Sequence, residues 1–139
     1  MISPRSYFLK KLSLRFGSRL YCIDRPAIMG IINISPDSFY PGSRVPTEKE
    51  WLNRAEKMLC DGVDIIDIGA YSSRPGAEDI SIEEEIQRLE PAVRSIRKHF
   101  PQTILSVDTF RSTVARMMVL DCGADMINDI SGGLLDMAM

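Results

Sequence analysis

At 139 residues, with 45% hydrophobic and 26% charged side chains, the chain has the composition of one globular domain with a real core, which excludes disordered and fibrous classes. The net charge of -2 hides an asymmetry, because residues 1–25 carry 6 of the 17 basic and 1 of the 19 acidic groups, so a head of +5 precedes a body of -7. No apolar run approaches the roughly 20 residues of a membrane span, and Cys22, Cys60 and Cys122 lack CxxC spacing. That argues for reduced, small core cysteines in a soluble, cytoplasmic protein, and against a disulfide framework or zinc site.

The head, MISPRSYFLKKLSLRFGSR, is Arg-rich and free of acids. It fits an organelle-targeting segment or a nucleic-acid arm, but an exposed leader or an opening hairpin with solvated charge requires less, and that reading is preferred. Residues 1–25 are accordingly set apart from a domain over 26–139.

From residue 27 short apolar runs alternate with amphipathic stretches, the pattern of βαβ units and a parallel sheet. AIMGIINIS is the first strand. Thr47 and Glu50 form a capping box, and Trp51, Leu52, Ala55, Met58 and Leu59 recur at helical spacing until Gly62. VDIIDIG is the second strand. Ser81 and Glu84 then open a helix with Ile82, Ile86, Leu89, Val93, Ile96 and Phe100 on one stripe and a kink expected at Pro91. TILSVD is a third strand, residues near 111–121 a third helix ending at Gly123, and DMINDIS a fourth strand. An echo between GVDIIDIG and GADMINDI places Asp67 and Asn128 at equivalent positions of a recurring βα unit.

Each strand carries a polar group near its carboxyl end: Asn33, Asp67, Asp108 and the Asn128–Asp129 pair. Any one suits a turn, but four on successive parallel strands point to a polar site, since α/β folds bind ligands outside the strands' carboxyl ends. Carboxylate and carboxamide together suit a heterocycle with donors and acceptors along one edge.

GIINISPDSF, SSRPG at 72–76, SVDTF at 106–110 and INDISGG at 127–133, in that order and on those strand ends, resemble the dihydropteroate synthase family over about residues 26–133. The resemblance implies the amino-terminal half of a TIM-type (βα)8 barrel, about four parallel strands alternating with three helices. It implies condensation of 6-hydroxymethyl-7,8-dihydropterin pyrophosphate with p-aminobenzoate to give dihydropteroate, assisted by Mg2+. By motif, Asn33 stands at the metal and pyrophosphate, while Asp108 and Asn128 bond the pterin edge. Ser73 and Arg74 meet the pyrophosphate, Arg74 counting among the catalytic residues. Asp37, Ser38 and Phe39, also assigned to catalysis, lie with Pro36 in a first loop that closes over the substrates. Asp37 and Ser38 equally suit an Asx-type turn, and the two readings coexist.

Tyr40, Pro41, Gly42 and Ser43 depart from the family's loop, which continues to a second Asp and paired glycines, and Tyr71 stands where Glu is frequent. An Asp, a Ser-Arg-Lys motif and an Arg-x-His motif expected on later strands are missing after SGGLLDMAM, so the 139-residue chain alone is expected to be inactive. Rival readings are a pterin-dependent methyltransferase, disfavoured by SPDSF with SSRPG, and a non-catalytic truncated or accessory pterin-binding chain. Expected partners are the small-molecule substrates, together with self-association or a complementary half-barrel, and not nucleic acid or membrane. His99 reads as a charge at a helix end, Met58, Met117 and Met118 as core, and SIEEEIQRLE as a solvated face.

Overall fold

The computed structural model describes residues 12–35, 47–71 and 79–139. Two antiparallel strands, β1 (Leu12–Phe16) and β2 (Arg19–Ile23), come first. They turn at Gly17, whose φ of 57° lies in the left-handed region open to glycine. The strands β3 (Met29–Asn33), β4 (Ile65–Gly69), β5 (Ile104–Asp108) and β6 (Met126–Asn128) then form a parallel sheet in chain order. Helices α1 (Glu48–Cys60), α2 (Ile82–His99) and α3 (Ser112–Leu120) connect them. Four consecutive strands with their crossover helices are part of a (βα)8 barrel.

The helices start and stop where local chemistry dictates. Glu50 reaches back to accept from the Thr47 backbone N–H at 2.7 Å, and the Ser81 hydroxyl accepts from the Glu84 N–H at 3.1 Å. Gly62 (φ 93°) and Gly123 (φ 86°) follow the ends of α1 and α3 in the left-handed conformation. Pro91 lies on the exposed side of α2, which runs through it without interruption.

Parallel register sorts the side chains into rows. Gly30, Ile66 and Leu105 form one row on the helix side, and Ile32, Ile68, Val107 and Ile127 the next. Against them pack Trp51 and Ala55 of α1, Leu89, Ala92, Val93 and Ile96 of α2, and Val114 and Met118 of α3. Each large aliphatic side chain buried there contributes about 1.5–3 kcal/mol. On the opposite face, Ile31, Asp67, Ser106 and Met126 form a middle row, and Asn33, Gly69, Asp108 and Asn128 a row at the carboxyl end.

At the amino end, Asp125 gathers three donors: Arg97 at 2.5 Å, the Leu105 N–H at 3.0 Å, and Arg19 of the hairpin. Arg25 pairs with Asp64, whose carboxylate also accepts from the Ile28 N–H at 2.9 Å. These bonds fasten the hairpin to the bottom of the sheet. No helix among the described residues is long and apolar enough to cross a membrane.

Two expectations are corrected. Glu85, read as part of a solvated face, is 1% exposed; it falls on the inward stripe four residues before Leu89, and its charge is met by Arg111 at 2.7 Å. Of the cysteines only Cys122 is buried, while Cys22 and Cys60 lie exposed on β2 and at the end of α1. All three are free thiols.

Candidate functional site

Asn33 ends β3, Asp108 ends β5 and Asn128 ends β6, and one row of the sheet holds all three with Gly69 between Asn33 and Asp108. Asn33 and Asn128 are exposed and Asp108 is partly buried, so the row faces open space. Gly69 leaves a gap in it: a Cβ built there would stand 3.4 Å from Asn33 Oδ1 and 3.5 Å from Asp108 Oδ2. The glycine thus forms a floor between a carboxamide and a carboxylate.

Beneath lies Asp67, 2% exposed, whose Oδ2 accepts from Asn128 Nδ2 at 3.1 Å. Its Oδ1 and the neighbouring Ser106 Oγ are buried without a hydrogen-bond partner among the described residues. Polar atoms placed so are costly unless something satisfies them. Burial, then the negative charges of Asp67, Glu85 and Asp129, push the Asp108 carboxyl up to about 6. Near neutral pH it is an ionised acceptor, poised to take a proton in mild acid.

Asp129 does something else. Its carboxylate accepts from the Ser131 N–H at 2.8 Å and the Gly133 N–H at 2.7 Å, closing the turn after β6. Desolvation opposes its ionisation, but these bonds outweigh it and hold the group below the usual carboxylate value. Asp136 caps α3 by accepting from the Ser112 N–H at 2.7 Å.

Beside the row stands a cluster absent from the sequence reading. Arg111 binds Glu85 and, at 2.9 Å, Asp79, and its guanidinium lies 5.4 Å from the Tyr71 ring centroid and 5.1 Å from that of Phe110. Tyr71 and Phe110 meet edge to face at 5.3 Å. The only signal for this was Glu85 on an apolar stripe. His99 sits away from it, Nδ1 2.9 Å from the Ser95 carbonyl oxygen at the end of α2. Asp37, Ser38, Phe39, Ser73 and Arg74 lie outside the described residues.

Amide and carboxylate side chains gathered at the carboxyl ends of parallel strands stand where α/β barrels carry their ligand sites. Residues 29–139 match the pterin binding enzyme family, and the chain belongs to it. Its relatives include the dihydropteroate synthase of Streptococcus pyogenes serotype M1, 41% identical over 110 residues, spanning 79% of this chain and 41% of that protein. The folic acid synthesis protein fol1 of Pneumocystis carinii is 44% identical over 140 residues, covering 99% of this chain and 18% of its own length. Among solved structures, the Coxiella burnetii dihydropteroate synthase in complex with pteroic acid superposes with a TM-score of 0.76 at 42% identity, covering 91% of this chain and 44% of that one. The chain therefore spans less than half the length of these relatives.

Proposed function

We propose that the row of Asn33, Asp108 and Asn128 binds the pterin of a dihydropteroate synthase, and that the chain furnishes this wall for condensing 6-hydroxymethyl-7,8-dihydropterin pyrophosphate with p-aminobenzoate. The observation that carries the proposal is the row itself: three polar side chains on the carboxyl ends of parallel strands, floored by Gly69, in a chain 42% identical to a synthase solved with pteroic acid.

Asp108, ionised above about pH 6, accepts from an N–H donor of the pterin edge. Expelling pyrophosphate from the methylene carbon builds negative charge on the leaving group and positive charge on the pterin. Carboxylates beside the ring stabilise the second, and an Arg such as Arg74 suits the first. Asp37, Ser38 and Phe39 belong to the same proposal, as a loop that screens the reacting atoms from water.

The described residues suit magnesium in one way only. They hold no cluster of three acidic, His or Cys side chains that could grip a cation, but Asn33 places its Oδ1 beside the Gly69 gap. That donor fits an ion held chiefly by phosphate oxygens, as magnesium commonly is. Bound there, the ion would neutralise leaving-group charge. A cytoplasmic location and association with a complementary half-barrel or a second copy complete the proposal.

The test is calorimetric titration with 6-hydroxymethyl-7,8-dihydropterin. Asp108→Ala should weaken binding by on the order of 1–3 kcal/mol, since a ligand donor loses its acceptor. Unchanged affinity in a folded variant would refute the assignment. With both substrates and magnesium present, pyrophosphate release reports whether this chain turns over as well as binds.

A further inference from the structure

We propose that Asp67 is a positioning residue of this site: it grips the Asn128 carboxamide by its NH2 end, so that the carboxamide oxygen is offered to the ligand as a second acceptor beside Asp108. The inference rests on the pterin reading above and deepens it.

Asp67 belongs to the middle row of β4, below the row that faces the ligand, and is almost wholly buried. Its one hydrogen bond among the described residues goes to Asn128 Nδ2 on β6, across the intervening strand β5. Among the described residues no cation pairs with it, and Arg111 is engaged by Glu85 and Asp79. Burying a carboxylate on these terms is expensive for stability alone.

An orienting role explains the choice. A carboxamide can present either its oxygen or its NH2, and unrestrained it would do both. An ionised carboxylate only accepts, so it selects the NH2 and turns the oxygen the other way. Asn128 and Asp108 are partners in the end row, so this arrangement sets two acceptors side by side. Adjacent N–H donors are what an aminopteridine edge presents. The Asp67 charge also acts on Asp108 directly, with Glu85 from α2 and Asp129 after β6 as the other negative groups facing it.

The test uses isotope-labelled protein, with the Asn128 side-chain amide pair assigned by its loss in N128A. Native protein should show a displaced, exchange-protected pair. In Asp67→Ala it should move to a solvent-exposed position and exchange about tenfold faster or more, whereas Asp67→Asn, which keeps an acceptor oxygen, should retain protection. In parallel, affinity for 6-hydroxymethyl-7,8-dihydropterin should fall about tenfold in Asp67→Ala, and the double variant D67A/N128A should bind no worse than N128A. Asp67→Asn should bind within a few fold of native, and its acid limb of binding should move to lower pH because the charge beside Asp108 is removed.

An unprotected pair in native protein, protection that survives Asp67→Ala, or additive losses in the double variant would overturn the proposal. Native protein that binds no pterin would defeat the pterin reading, while the amide pair would still decide whether Asp67 orients Asn128.

Discussion

Asp108 carries a conflict between stability and binding. Its folded pKa of about 6 exceeds the ordinary 3.8, so between those values the folded chain holds more protons than the unfolded one. Stability therefore falls as pH rises through that window, and the deficit is complete above it. Asp108→Asn should stabilise the protein above about pH 6 by on the order of 1 kcal/mol after solvent screening, seen as a higher melting temperature, with no gain below about pH 4. Calorimetric melts at the two pH values check this; equal gains at both would mean that charge is not the cause. Gly69→Ala should leave the melt nearly unchanged, because the new Cβ meets only ordinary contacts, yet weaken pterin binding by filling the floor between Asn33 and Asp108. Asn33, Asp108 and Asn128 were legible in the sequence because each ends an apolar run. The Asp67–Asn128 bond and the Glu85–Arg111 pair were not, since they depend on register across strands and on loops distant in sequence.

Helices and parallel strands announce themselves through periodicity and caps, and Thr47, Glu50, Ser81, Gly62 and Gly123 mark boundaries within three residues of those observed. The hairpin over Leu12–Ile23 is less distinct, because its strands mix apolar with basic residues and stay largely exposed. Its attachment runs in part through Asp125, so Asp125→Ala should destabilise the protein by about 2 kcal/mol or more, taking the carboxylate from Arg97, which keeps only backbone carbonyls, and from the Leu105 N–H. Chemical denaturation measures this, and a loss below about 0.5 kcal/mol would show that the cluster is solvated rather than structural. Gly30 has a different constraint: a Cβ there would lie 2.9 Å from Met58 Sδ and 3.1 Å from Val63 Cγ1, so α1 approaches β3 closely only over a glycine. Gly30→Ala should cost on the order of 1–3 kcal/mol in the same assay. α2 continues through Pro91, where a kink was expected, because the proline lies on the exposed face and water can satisfy the carbonyl left unbonded at the exposed Gln87.

At the scale of the molecule, one face of the sheet is sealed by helices, while the other is buried at its centre around Asp67 and Ser106 and open along the β3 edge and the carboxyl ends. Ile31 is 58% and Met29 38% exposed on β3, an edge strand of the described sheet, and Ile130, Leu134, Leu135 and Met137 stand out after β6. Closing a parallel barrel takes eight strands, and an unpaired edge invites another. The isolated chain is therefore expected to self-associate or to bind a complementary half-barrel. Light scattering coupled to size exclusion tests this, and a sharply melting monomer at high concentration would contradict it. The central claim is that a pterin sits on the carboxyl-end row, and mapping backbone amide shifts during titration with 6-hydroxymethyl-7,8-dihydropterin tests it most directly. Saturable shifts at Ile34, Gly69, Thr109 and Asp129, with Ile28, Asp64, Thr103 and Asp125 unmoved, are the result the account predicts; shifts centred on the second group, or none at all in the folded chain, would contradict it.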